Sequence, residues 1–350
     1  MLEKKTWVVL ALLALCLPGL ALAGGAQGKA KKAQAKAQKA PVPALIKLGP
    51  AWAIHGGHIV HLSQEGRVHA WRAQGLEPDP EYTQALASQK LRLIATGGGG
   101  LWGTDLARVY RWSDEARAWK SEFELPKTEG STIDLVIVGD EPVVVYPTRV
   151  VSARTGKVYP LSDLKDAAYP FFRALTVRAT KTHVWVGTGY GEWGGALFGL
   201  ELASGKWVQF KDTLHYVTGI SEDGQGRLWV SWSMSHFGAD TLLRLHRPDA
   251  TVERAFPELR SSYLQTVAWD EVSQTLHGLE QNRVVRLEDG KPVELLSLGE
   301  LPYSAEPNAI GAAPGFTGMG VLGPGRFLLI HERLDPRVYA EGKAVLLPLW

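Results

Sequence analysis

The sequence predicts an all-β fold, a seven-bladed β-propeller of four-stranded antiparallel blades, with six or eight blades as the neighbouring solutions. Three observations lead there. From residue 44 onward, short apolar runs alternate with Gly, Asp, Ser and Pro turns, and amphipathic 3.6-residue patterning is scarce. The strongest runs recur: HIVHL at 58–62, LWGT at 101–104, VVVY at 143–146, VWVGT at 184–188, LWVSW at 228–232, LHGL at 276–279 and FLLI at 327–330. Counted from Ile59 they are spaced by 42, 42, 41, 44, 48 and 51 residues. Each is followed by a second run, such as RVHAW at 67–71 or RVVRL at 283–287, and most by a turn and a third, such as SGKWVQF at 204–210. A unit of this length cannot bury both faces of its sheet alone, so such units pack face to face around an axis. Closing the ring hides those faces and leaves only short outer edges. The run ALIKL at 44–48 would complete either the first or the last blade, and residues 82–90 read as a short helix or a surface loop.

Ahead of the propeller, residues 1–23 read as a secretory signal peptide: MLEKK is a basic start, residues 7–17 form a short apolar core, and Ala21-Leu-Ala23 is a small-x-small site that places cleavage after Ala23. The core is short for a membrane span. The expected location is therefore periplasmic or secreted, with no integral span after cleavage. Cys16 is the only cysteine, and Leu15 stands where lipidation would need a small residue. The mature chain then has no thiol and therefore no disulfide, thiolate nucleophile or Cys-ligated metal.

Residues 24–43 form a linker whose first part, GGAQGKAKKAQAKAQKA, uses only Gly, Ala, Gln and Lys, as a solvated spacer does. The chain carries +2 overall, and residues 1–40 hold seven Lys and one Glu, +6, so residues 41–350 carry 2 − 6 = −4. A mildly acidic folded part has no general nucleic-acid footprint.

The stretch GTGYGEWGGALFGL at 187–200 contains Gly189-x-Gly191-x-x-Gly194 directly after an apolar run. A dinucleotide turn needs a helix after its glycines, because the free N–H groups and dipole of the helix hold the pyrophosphate. Here Phe198, Leu200 and Leu202 alternate and then meet the turn at 203–206, so a strand is expected and no nucleotide cofactor. The segment HGGHIVH at 55–61 invites a metal reading. On an extended strand, however, His58 and His61 point to opposite faces, so these histidines are read as turn and surface residues and no metal is expected.

The unit ISEDGQGRLWV at 220–230 resembles the repeat of two-component-regulator propellers, which are periplasmic sensor modules. The segments HVWVGT at 183–188 and LWGT at 101–104 resemble the second half of that repeat. A weaker likeness, through Ser221-x-Asp223, is to the Asp-box of sialidases, with the following glycine displaced by one position. These motifs stabilise turns inside blades, so the resemblance implies the fold and no catalysis.

Two loops between second and third strands are enlarged, 189–195 and 233–240, and they belong to adjacent blades. Long loops on a rigid scaffold are where binding usually resides. Tyr190, Trp193, Phe237, Tyr216 and Tyr169 would supply flat apolar surface, and Glu192, His236 and Asp240 hydrogen bonds, a mixture that suits a glycan or a peptide or protein partner. The expected function is thus an exported, non-catalytic, monomeric binding propeller. One alternative is a hydrolase or lyase acting on glycans through Glu192 and Asp240 as paired acid and base. The other is a cell-envelope scaffold tethered by the basic linker. Inner-strand candidates are poor in carboxylates, Asp134 being nearly alone.

Overall fold

The computed structural model describes residues 51–63, 65–126, 132–163, 174–189, 194–234, 240–256, 264–280, 283–288, 291–297, 316–331 and 336–347. Their strands form seven antiparallel sheets, and within each the strands pair in chain order. Blade 1 holds β1 (Ala51–His55), β2 (His58–Leu62) and β3 (Val68–Arg72), followed by the helix α1 (Pro80–Leu86). Blade 2 holds β4 (Leu93–Gly97), β5 (Gly100–Thr104), β6 (Arg108–Ser113) and β7 (Ala118–Glu124). Blade 3 holds β8 (Asp134–Val138), β9 (Glu141–Tyr146), β10 (Arg149–Ser152) and β11 (Val158–Pro160). Blade 4 holds β12 (Ala174–Ala179), β13 (His183–Gly189), β14 (Gly195–Glu201) and β15 (Lys206–Asp212). Blade 5 holds β16 (Tyr216–Glu222), β17 (Leu228–Met234), β18 (Asp240–His246) and β19 (Val252–Phe256). Blade 6 holds β20 (Leu264–Asp270), β21 (Thr275–Glu280), β22 (Arg283–Glu288) and β23 (Lys291–Ser297). Blade 7 holds β24 (Phe316–Gly323), β25 (Arg326–His331), β26 (Arg337–Ala340) and β27 (Lys343–Leu346). The first strands of successive blades, from β1 to β24, touch in order around the axis. Because neighbouring strands are antiparallel, the turns after first and third strands share one face of the ring, the turn face. The second-to-third loops and the blade-to-blade connections share the other, the loop face.

The core is divided into layers, each shared by two blades. Val143 and Val145 of β9 pack toward blade 4 with Val184, Val186 and Phe198. Val144 and Tyr146 of the same strand pack toward blade 2 with Trp102 and Val109. Alternate side chains of one strand thus serve two interfaces, which is why the run VVVY is apolar throughout and does not alternate. Equivalent layers join blades 1 and 2, 4 and 5, 5 and 6, and 6 and 7.

The seventh layer closes the ring. Ile59 and Trp71 of blade 1 pack on Leu328, Ile330 and Val338 of blade 7. Arg326 Nη2 donates to the carbonyl of Ala73 at 2.7 Å. Trp52 of β1 lies against Gly318 and Gly320 of β24, and a Cβ on Gly320 would collide with its ring. Glycine there lets the indole fill the seam. Blade 7 draws all four strands from residues 316–346, so the expectation that residues 44–48 complete a blade does not apply to the last one; those residues lie outside the described ones.

Blade 1 departs from the four-stranded expectation among the described residues, because α1 and the segment leading into it stand where a fourth strand would. The outer edge of β3 is satisfied nonetheless. Arg72 N donates to Glu77 O and Asp79 N to Ala70 O, both at 2.8 Å, and Ala70 N donates to Thr83 Oγ1 at 3.0 Å. A buried sheet edge must find such partners or lose stability. The helix begins where Asp79 Oδ1 accepts the N–H of Tyr82 at 2.9 Å and Pro80 supplies a first-turn residue without a donor. Its apolar side buries Tyr82 and Leu86.

The residues that carry the family resemblance do turn work. Asp223 Oδ1 accepts the N–H groups of Gln225 and Arg227 at 2.9 and 3.0 Å, while its Oδ2 takes the Arg227 guanidinium. Ser221 Oγ accepts the N–H of Trp269 at 2.8 Å and so ties blade 5 to blade 6. Asp270 repeats the device one blade on: its Oδ2 accepts the N–H of Gly325 in blade 7 at 3.2 Å.

Candidate binding face

The structure brings the roots of the two enlarged loops together. Gly194 has φ of 79°, and β14 starts at the next residue, so a strand and not a helix follows the glycines. A Cβ on Gly195 would meet the carbonyl of Thr188 and the Cα of Tyr216. Tyr216, which opens β16, stands opposite Ser233 of β17, and Ser233 stands opposite Thr241 of β18. One inner strand therefore separates the root of loop 189–195 from the root of loop 233–240.

A buried ion pair fixes this junction. Asp212, the last residue of β15, accepts from the backbone of Leu214 and His215 at 2.8 Å each through Oδ1, and Nδ1 of His215 lies 3.1 Å from the same oxygen. Its Oδ2 accepts from Arg244 Nη2 of β18 at 2.6 Å. The guanidinium also lies over the rings of Phe210 and Trp232, 5.2 and 5.1 Å from their centroids. Burial pushes the Asp212 carboxyl up, but the two backbone N–H groups and Arg244 outweigh it and hold the carboxyl below its usual range. An ionised, multiply bonded carboxylate of this kind ties the blade 4 to blade 5 connection onto β18.

Of the residues singled out from sequence, Tyr190, Glu192, Trp193, His236, Phe237 and Tyr169 lie outside the described residues. Asp240 begins β18 opposite Met234. Tyr216 is only 7% exposed, which leaves its ring little area for a ligand and gives it the packing role its contact with Gly195 implies. Asp212 and Arg244 were not singled out. Their signal is modest: an arginine inside the apolar run TLLRL at 241–245, and an aspartate two residues before Leu214 where the chain leaves a strand.

The three histidines of HGGHIVH go to separate partners. His55 Nε2 lies 3.0 Å from Asp114 of blade 2. His58 Nε2 lies 3.2 Å from Asp79, and its ring stacks on Tyr82 at 4.1 Å. His61 is buried beside His69. Among the described residues no group of three or more His, Cys, Asp or Glu could hold a metal ion. Asp134 heads the inner strand β8, and burial pushes its carboxyl up to about 7 against a single backbone hydrogen bond from Leu135. No described helix is long and apolar enough to cross a membrane.

The fold and this face define a class of protein, the β-propellers, and comparison with solved structures agrees. The chain is similar to the computationally designed Ika8 protein and to the Dos1 propeller, each with 11% identity and a TM-score of 0.53. It covers 85% of this chain in both cases, and 86% and 82% of theirs. It is also similar to the WD40 repeats of RRP9, with 8% identity and a TM-score of 0.51, over 80% of this chain and 86% of that one. At such identities the likeness concerns the fold alone. No family model matches the chain, and no curated protein is similar to it in sequence.

Proposed function

We propose that this protein is a non-catalytic binding propeller whose partner is a protein or peptide, held on the loop face by residues 189–195 and 233–240. The observation that carries the reading is the junction beneath the two loops. Close packing at Gly195 and the Asp212–Arg244 pair give two neighbouring loops, rich in aromatic and hydrogen-bonding residues, one rigid base. A fixed base lowers the ordering cost of binding. WD40-like propellers among the similar structures suit a protein partner. In this reading the protein acts outside the cytoplasm, exported by residues 1–23, and the resemblance of residues 220–230 to sensor-propeller repeats supports a periplasmic location.

The test is a screen of the chain lacking residues 1–23 against peptide and glycan arrays, repeated with Trp193→Ala and Glu192→Gln. Binding of peptides that Trp193→Ala abolishes, with no turnover, supports the reading. Retention of glycans alone would transfer the site to a carbohydrate, and turnover lost in Glu192→Gln would make the protein an enzyme.

A further inference from the structure

A second site emerges on the turn face, away from the loops. Arg178 is the penultimate residue of the inner strand β12 and stands opposite Trp185, whose ring packs in the layer between blades 4 and 5. Residues directly opposite in an antiparallel pair share a face, so Arg178 leaves the sheet toward blade 5. The residue is exposed to water although it belongs to an inner strand, as a side chain at the axial channel is. Glu222 of blade 5 favours its charged form. Lys181 is exposed in the turn that follows β12. Glu222 closes β16 and is half-buried; burial raises its carboxyl, Lys181 and Arg178 lower it, and Asp223 and Glu271 raise it further.

These three side chains act on one another only through their charges. Among the described residues no hydrogen bond or ion pair takes up Arg178, Lys181 or Glu222, whereas their neighbours are occupied, Asp223 by Arg227 and Glu271 by the indole N–H of Trp269. A guanidinium offers five donors in a planar fork that matches a carboxylate or phosphate. We propose that the turn-face mouth of the axial channel, between blades 4 and 5, binds an oxyanion, the carboxylate or phosphate group of a small ligand, on Arg178 and Lys181. Glu222 faces the same space as a like charge and sets the affinity. Its neutralisation strengthens binding, which separates a ligand site from an Arg178–Glu222 pair that serves only the fold. The site is independent of the loop-face reading, since none of its residues lies in those loops.

The experiment titrates the protein with inorganic phosphate and, separately, with succinate at constant ionic strength, followed by calorimetry and by the side-chain NMR signals of arginine. Saturable binding of at least one probe is expected, and which of the two binds identifies the group. Arg178→Met should weaken it by about tenfold or more, the worth of a lost charge-assisted hydrogen bond. Lys181→Met should weaken it less, and Glu222→Gln should tighten it several-fold. Melting curves accompany each variant, and Arg178→Lys, which keeps the charge and loses the fork, should fall between wild type and Arg178→Met. Failure of both probes to bind the intact protein overturns the proposal. So does binding indifferent to Arg178→Met, or a Glu222→Gln variant that loses both affinity and melting temperature.

Discussion

Acid should destabilise this propeller well before its hydrogen-bonded carboxylates protonate, because burial holds four of its histidines below their ordinary range, three of them far below. His61, His246 and His277 are each lowered by burial from 6.5 to about 4. The charges beside them differ. His61 faces His69 and Glu65, His246 faces Arg244 while its Nδ1 meets the Ala250 carbonyl, and His277 faces Asp270 and Arg286. Above pH 6.5 these rings are neutral in both states and contribute no pH dependence. Below it the unfolded chain takes up protons that the native rings refuse until about pH 4, so stability falls through that window by about 1.4 kcal/mol per pH unit for each histidine. At pH 4.5 the three together cost about 8 kcal/mol.

Asp134 works in the opposite direction. Its folded carboxyl titrates at about 7 against an ordinary 3.8, so between those values the native state holds a proton that the unfolded state lacks. This returns about 3 kcal/mol by pH 4.5. Over these four groups the net loss of about 5 kcal/mol is comparable with the whole stability of a typical domain. Asp79, Asp105, Asp212 and Asp270, all held below the usual range, add their losses only at lower pH still. Urea unfolding followed by tryptophan fluorescence from pH 7.5 to 4.5 measures the profile. A triple variant, His61→Gln, His246→Asn and His277→Gln, should flatten it, and Asp134→Asn should steepen it. An unfolding free energy that is level or rises between pH 6.5 and 4.5, or a slope the triple variant leaves untouched, would refute the reasoning.

Two further substitutions probe the ring and its odd blade. Gly320→Ala drives a methyl group into the ring of Trp52 at the closing seam and should cost about 1–3 kcal/mol of overpacking, part of it recovered when Trp52→Leu is added; thermal melts of the single and double variants decide. Asp79→Ala removes the cap of α1 together with the acceptor used by His58 and Arg72, and should cost about 1–3 kcal/mol in urea unfolding, with faster hydrogen exchange at the Ala70 amide as the fourth-strand substitute loosens.

Much of the ring was legible without coordinates. The recurrent runs became the second strands β2, β5, β9, β13, β17, β21 and β25, because a strand buried on both faces writes itself as a short continuous apolar run. The strand after the glycine cluster was recognisable too: the alternation of Phe198 and Leu200 is a local pattern that marks a strand, and both lie in β14, which is buried on both faces. Residues 82–90 kept two readings open, and the helix won over residues 80–86 because Asp79 and Pro80 form a start signal just upstream of the segment considered.

What the sequence by itself determined, then, is everything carried by neighbours along the chain: strand periodicity, turn chemistry such as that of Asp223, and the number of repeats. What only the tertiary structure decided is carried by residues brought together from afar. The pairing of Asp212 with Arg244, the use of Thr83 to finish the edge of β3, the wedge of Trp52 against Gly320, and the neighbouring charges of Arg178, Lys181 and Glu222 all depend on which blade faces which. The physical reason is that hydrogen bonds and ion pairs act through distances of a few ångströms in space, and no spacing along a repeating chain specifies which side chains of two packed blades will come that close.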